Sequence, residues 1–136
     1  MALKNKLKVA IVDDDADDRE IIRDAFISNN PEQDCLFIEN GVRLMDYLNQ
    51  CKAEELPGII LMDLNMPGKD GREALREIKG SDKLKAIPIV VFTTSSSGRD
   101  RQMVYNLGAN CFITKPDTYN KMVELAESIT RLWLPE

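Results

Sequence analysis

The chain has 136 residues, 43% of them apolar, 30% charged and 6% aromatic, with a formal net charge of -5, which suits one globular domain with its own core and leaves too little for a second. The charge has the wrong sign for a polyanion-binding surface and no basic patch offsets it, so no nucleic-acid partner is expected. The chain contains no histidine, which excludes a histidine kinase, a phosphotransfer histidine and any Ser-His-Asp or Cys-His mechanism.

Lys4, Lys6 and Lys8 lead into the first apolar run, residues 7–12, which is far shorter than a signal-peptide core. Nothing in the chain approaches the roughly 20 apolar residues of a membrane helix. A cytoplasmic domain without membrane contact is therefore expected. Residues 7–12, 59–62 and 89–92 are almost continuously apolar, as expected of strands covered on both faces; 35–38 and 111–113 complete a set of five. Helical spacing fills the intervals. Asp13 to Asp18 holds five aspartates in six positions, and Asp15, Asp17 and Asp18 read as acids favoured by the dipole at a helix start. Ile21, Ile22, Ala25 and Phe26 then form an apolar face, followed by Leu44, Met45 and Leu48 on a second helix and Ala74, Leu75 and Ile78 on a third. Asp70 with Glu73 resembles a capping box, Gly80 a helix stop, and Ser97 with Asp100 repeats the capping pattern. Met103, Val104 and Leu107 make a thin fourth stripe; Met122, Leu125, Ala126, Ile129, Leu132 and Trp133 make a long fifth. Cys35, Cys51 and Cys111 are odd in number and widely spaced, so they read as small buried apolar side chains in a reducing compartment.

Strands alternating with helices imply a parallel sheet with right-handed crossovers, hence a doubly wound α/β domain. In such a sheet, ligands bind at the carboxyl ends of the strands, where strand order reverses. The first strand there runs into Asp13 and Asp14, the third into Asp63, the fourth into Thr93, and the fifth, after Thr114, into Lys115. Three converging carboxylates repel one another unless a cation lies among them, and an all-oxygen set favours Mg²⁺ over zinc. A carboxylate beside Mg²⁺ and an ammonium is a plausible phosphoryl acceptor, with Asp63 the best placed and Thr93 able to donate a hydrogen bond.

The motifs Val12-Asp13-Asp14-Asp15, Met62-Asp63-Leu64-Asn65-Met66-Pro67 with Gly71, Phe92-Thr93-Thr94 and Thr114-Lys115-Pro116 together resemble the receiver domains of response regulators, over nearly the whole chain. The resemblance implies a flavodoxin-like five-stranded sheet in the order 2-1-3-4-5 and a single receiver domain over 1–136, its core about 7–133, with no output domain. It implies that Asp63 takes a phosphoryl group from a histidine kinase or phosphotransfer protein, that Asp13, Asp14, Asp63 and the carbonyl of Asn65 hold Mg²⁺, and that Lys115 and Thr93 contact the phosphoryl group. Phe112 matches the aromatic switch position but lacks the phenol oxygen found there in many members. Asn65 and Ser95 resemble positions that tune dephosphorylation, and the Lys115–Pro116 bond is expected to be cis. The run 93–97 and the end Leu132-Trp133-Leu134 resemble short receivers paired with phytochrome-like sensor kinases; Trp133 either docks a partner or covers the domain's own sheet edge. Signalling by contact with an unknown downstream protein, as a monomer or weak homodimer and not as a turnover enzyme, is the expectation. Two other readings stay open. An aspartyl phosphatase or phosphotransferase like the haloacid dehalogenases needs a second acid two residues after its nucleophile, where Asn65 stands. A receiver-shaped module that is never phosphorylated is the other. A nucleotide-binding flavodoxin or Rossmann relative is not favoured, since the chain has no GxGxxG after the first strand and no GxxxxGK followed by Ser or Thr.

Overall fold

Strands of four or five residues, the three central ones buried on both sides, alternate with helices in a computed structural model that describes residues 7–66, 68, 70–94 and 97–134. In chain order these are β1 (Val9–Val12), α1 (Ala16–Asn29), β2 (Cys35–Ile38), α2 (Gly41–Gln50), a 3₁₀ turn (Ala53–Glu55), β3 (Ile59–Met62), α3 (Gly71–Lys79), β4 (Ile89–Thr93), α4 (Gly98–Asn106), β5 (Cys111–Thr114) and α5 (Tyr119–Trp133). The strands form one parallel sheet in the order β2-β1-β3-β4-β5. This is the doubly wound, flavodoxin-like receiver architecture expected from the motifs.

The strand period of two divides the apolar runs between two cores. Ala10, Val12, Ile60, Met62, Ile89 and Val91 face one side with Leu44 and Leu48 of α2, Leu75 and Ile78 of α3 and Val104 of α4. Val9, Ile11, Ile59, Leu61, Val90 and Phe92 face the other with Phe26 of α1 and Met122, Ala126 and Ile129 of α5. The five α-helices start on an Asp, Asn, Ser or Thr side chain that accepts backbone N–H groups of the first turn: Asp15, Asn40, Asp70, Ser97 and Thr118. Each such cap contributes about 1 kcal/mol.

Several expectations are corrected. β1 begins at Val9, and Leu7 is 41% exposed. Ile21 and Leu132 lie outside the packed stripes, 46% and 73% exposed, because α1 and α5 turn narrower faces to the sheet than their sequences allow. The cysteines are free thiols but half-buried, since Cys35 and Cys111 stand on the two edge strands and Cys51 ends α2. Trp133 packs partly buried against the α1–α5 core. No peptide bond among the described residues is cis, so Lys115–Pro116 is trans, the form that X–Pro bonds favour by about 0.5–1 kcal/mol. Lys4, Lys6, Pro67 and Ser95 lie outside the described residues.

Candidate functional site

β1 and β3 are neighbours in register, Val12 beside Met62, so the residues that follow them emerge side by side. Asp13 extends the ladder by donating its N–H to the carbonyl of Ile38 at 3.0 Å, and Asp63 donates its own to the carbonyl of Val12 at 3.0 Å. Their backbones are therefore part of the sheet, and their side chains start from fixed points. Gly71 tightens the Asp63 side. A Cβ there would lie 2.5 Å from the Asp63 carbonyl oxygen and 2.9 Å from Leu64 Cα, while its N–H donates to the carbonyl of Leu64 at 3.0 Å. Only glycine lets α3 begin this close to the loop after β3, which is the physical content of the Asp63-to-Gly71 spacing.

β4 and β5 deliver the other two groups. Thr93 is fully buried at the end of β4, beside Thr114 in register. Its carbonyl accepts the N–H of Lys115 at 2.8 Å, so the lysine leaves the sheet at a set height. The Lys115 ammonium then reaches across the strand ends to Asp13 Oδ2 at 2.7 Å, Asp18 Oδ2 at 2.9 Å and Asp63 Oδ2 at 3.4 Å. Burial works against the charge of Lys115, but the hydrogen bonds it donates to Asp13 and Asp18 outweigh it and hold its pKa above the ordinary lysine value. Asp13 is 2% exposed. Burial pushes its carboxyl up, against the opposing hydrogen bonds from Lys115 and the N–H of Asp15.

Asp14 faces solvent at the rim. One carboxylate oxygen from each of Asp13, Asp14 and Asp63 lies within 4.8 Å of the others. An octahedral Mg²⁺ shell, with oxygens about 2.1 Å from the ion, sets adjacent oxygens about 3 Å and opposite ones about 4 Å apart, so the three carboxylates need draw in only modestly, and with a nearby carbonyl loop they are the hard donors it prefers. The residues present fit that ion. Asn65 is exposed, and its N–H donates to Asp63 Oδ1 at 3.4 Å. Phe112 is buried at 4% exposure in the α2–α4 core, with the Arg101 guanidinium 5.2 Å above its ring.

Three contributors were not apparent from sequence. Asp18, read as a helix-start acid, pairs with Lys115. Arg19 donates from Nη1 to the Asp13 carbonyl at 2.6 Å. Tyr105 of α4 accepts the Phe112 N–H at its hydroxyl, 3.0 Å away, so a phenol oxygen does stand near the switch position, supplied by a different element. For Asp18 a signal existed. With Asp15 as cap it is the third helical residue, and helix side chains lean toward the N-terminus, back over the strand ends. Beside the hollow, Ile22, Phe92, Pro116, Tyr119 and Met122 line an apolar cavity of about 230 Å³, with Asp18 and Lys115 also contributing to its wall.

The family profile described as the response regulator receiver domain matches residues 9–127. The response regulator Rcp1 of Synechocystis sp. is 33% identical over 129 residues, covering 93% of this chain and 88% of that protein. Among solved structures, the phosphorylated cyanobacterial phytochrome response regulator RcpA superposes with a TM-score of 0.85 at 35% identity, and the Mn²⁺-bound form of Rcp1 with 0.82 at 33%, each pairing covering 94% of both chains.

Proposed function

From the premise that the chain belongs to the response regulator receiver domain family, we propose that it is a cytoplasmic phosphorylation switch that takes a phosphoryl group on Asp63 from a histidine kinase or phosphotransfer protein. The observation that carries this is the gathering of Asp13, Asp14, Asp63 and Lys115 around one hollow at the strand ends. A carboxylate oxygen of Asp63 forms the new P–O bond as the P–N bond of the phosphohistidine breaks and the imidazole leaves with the electron pair. The product is an acyl phosphate. Asp13, Asp14, Asp63 and the Asn65 carbonyl would hold Mg²⁺, which would supply shielding of the charge on the phosphoryl oxygens. Lys115 pairs with those oxygens from the β5 side, and the Thr93 hydroxyl donates to one of them.

Phosphorylation adds about two negative charges in place of one. Thr93 and Lys115 are drawn toward them, the chain after Thr93 follows, and Phe112 repacks beneath α4. The face formed by α4, β5 and α5 then carries the signal to another protein. The kinase partner is of the phytochrome-like class, a reading supported by the likeness to RcpA, a phytochrome response regulator, over 94% of both chains.

Incubation with acetyl phosphate and Mg²⁺ tests the assignment. Intact mass is expected to rise by one phosphoryl group, mapped to Asp63, with EDTA abolishing the gain and Asp63→Asn preventing it. An unmodified mass overturns the reading in favour of an interaction module. Multiple turnover of a small phosphomonoester, lost in Asp63→Asn, overturns it in favour of a phosphatase.

A further inference from the structure

The ammonium of Lys115 has three hydrogens, and three carboxylates take them: Asp13 at 2.7 Å, Asp18 at 2.9 Å and Asp63 at 3.4 Å. Its two short contacts go to carboxylates other than the phosphoryl acceptor. The three partners differ in what losing the lysine means for them. The Asp13 side chain is 3% exposed, so withdrawing Lys115 leaves a buried charge without a counterion, which is strongly unfavourable. The Asp18 side chain is 40% exposed, and water replaces a lost ammonium there at small cost. Asp18 is nonetheless not a loose surface acid. Its backbone N–H is fixed to the Asp15 cap at 3.1 Å, and with Lys115 it contributes to the lining of the α1–α5 cavity.

We propose that Asp18 is a positioning residue for Lys115: it holds the ammonium on the α1 side of the hollow in the unphosphorylated protein and yields it when a phosphoryl group forms on Asp63. The inference rests on the phosphoacceptor reading of Asp63. Phosphorylation replaces the Asp63 carboxylate charge with a neutral acyl oxygen and moves negative charge outward onto the phosphoryl oxygens. Lys115 keeps Asp13, and its remaining hydrogens are contested between Asp18 and the phosphoryl group. Asp18 thus sets how tightly the modified state is held, and the outcome is felt at the cavity wall where α1 meets the β5–α5 loop.

The test is calorimetric titration of the full chain with beryllofluoride, a phosphoryl mimic, in saturating Mg²⁺. Asp18→Asn is expected to tighten binding about two- to fivefold, equivalent to roughly 0.4–1 kcal/mol at 1.4 kcal/mol per tenfold, with Asp18→Glu restoring the wild-type value. Asp17→Asn removes a charge on the same turn that has no contact with Lys115 and is expected to leave affinity unchanged. In a Lys115→Ala background, Asp18→Asn is expected to have no effect. Asp18→Ser carries the same expectation as Asp18→Asn and keeps the test decisive if the asparagine variant does not fold. Unchanged affinity in the Asp18 variants overturns the proposal. So does an equal gain in Asp17→Asn or in the Lys115→Ala background, since either shows only a through-space charge effect. If the wild-type chain binds beryllofluoride and these results appear, Asp18 alone is misassigned; if it neither binds the mimic nor accepts a phosphoryl group from acetyl phosphate, the reading of Asp63 falls with it.

Discussion

A side chain attacks phosphorus only with a free electron pair, so protonation decides which group in a histidine-free chain can act. Lys115 is held as an ammonium by Asp13 and Asp18 and serves as a counter-ion rather than a nucleophile. Cys35 is withdrawn by a different route. Burial on the edge of β2 pushes its thiol from 9.0 up to about 11, against the nearby Arg23 charge. Because the thiolate is the reactive form, alkylation of Cys35 by iodoacetamide at pH 8 is expected to run about a hundredfold slower than for an unperturbed thiol, tenfold for each unit of the shift. The rate should climb until about pH 11, read peptide by peptide by mass spectrometry; a plateau near the ordinary thiol value overturns the assignment. The stability consequence has a definite sign. The folded state favours the neutral thiol, so its contribution is complete below pH 9 and is lost as pH rises through 11, and Cys35→Val removes that part of the alkaline slope. The carboxylate of Asp63, fixed by the sheet and by Gly71, stays available for the acceptor role proposed for it.

At the scale of elements, α4 stands apart. Its one fully buried residue is Val104, whereas α3, of equal length, buries Gly71, Ala74, Leu75 and Ile78. Polar clips replace the missing packing: Arg72 of α3 reaches Asp100 at 3.3 Å and Asp70 at 3.5 Å, with side chains about a quarter exposed, and Tyr105 accepts the Phe112 N–H. Amide hydrogen exchange in Gly98–Asn106 is accordingly expected to be faster than in Gly71–Lys79. Arg72→Ala should raise it a further two- to fivefold, as losing a partly exposed ion pair of about 0.5–1 kcal/mol implies. Equal protection of the two helices overturns the view of α4 as the movable element. The thin stripe that foretells this was readable in the sequence, as were the strand cores and the caps at Asp70 and Ser97, because burial on both faces and capping are local patterns. Edge effects were not readable. The half-exposure of Cys35 and Cys111, the outward turn of Ile21 and Leu132 and the 3₁₀ turn at Ala53–Glu55 depend on which strands end the sheet and how far each helix rolls onto it.

For the molecule as a whole, the strand-end residues singled out in the sequence gather at one edge because the topology carries them there whatever the details of packing. Sequence reasoning passed over Asp18, whose place as the third helical residue after the Asp15 cap was the available signal, and missed Arg19, whose contact with the Asp13 carbonyl arises from a helix turn folding back over that edge. The completed hollow sets four carboxylates, Asp13, Asp14, Asp18 and Asp63, against the one ammonium of Lys115, in a chain that is already net negative. Such a site opposes its own closure, and a divalent cation that binds only the folded arrangement stabilises it by mass action. At a hundredfold excess over its dissociation constant the gain is about 2.7 kcal/mol, and at roughly 3 °C per kcal/mol for a domain of this size the melting temperature should rise by about 8 °C. Differential scanning calorimetry at neutral pH in Mg²⁺ and then in EDTA measures this directly. Monovalent salt at matched ionic strength should recover only a small part of the gain, since screening weakens repulsion without filling the coordination sites. Asp13→Asn, which removes a donor but also relieves repulsion, should raise the melting temperature in EDTA and lose most of the Mg²⁺ increment. A wild-type chain indifferent to Mg²⁺, or an Asp13→Asn chain that responds fully, shows that the acids at the strand ends do not work together as an ion site.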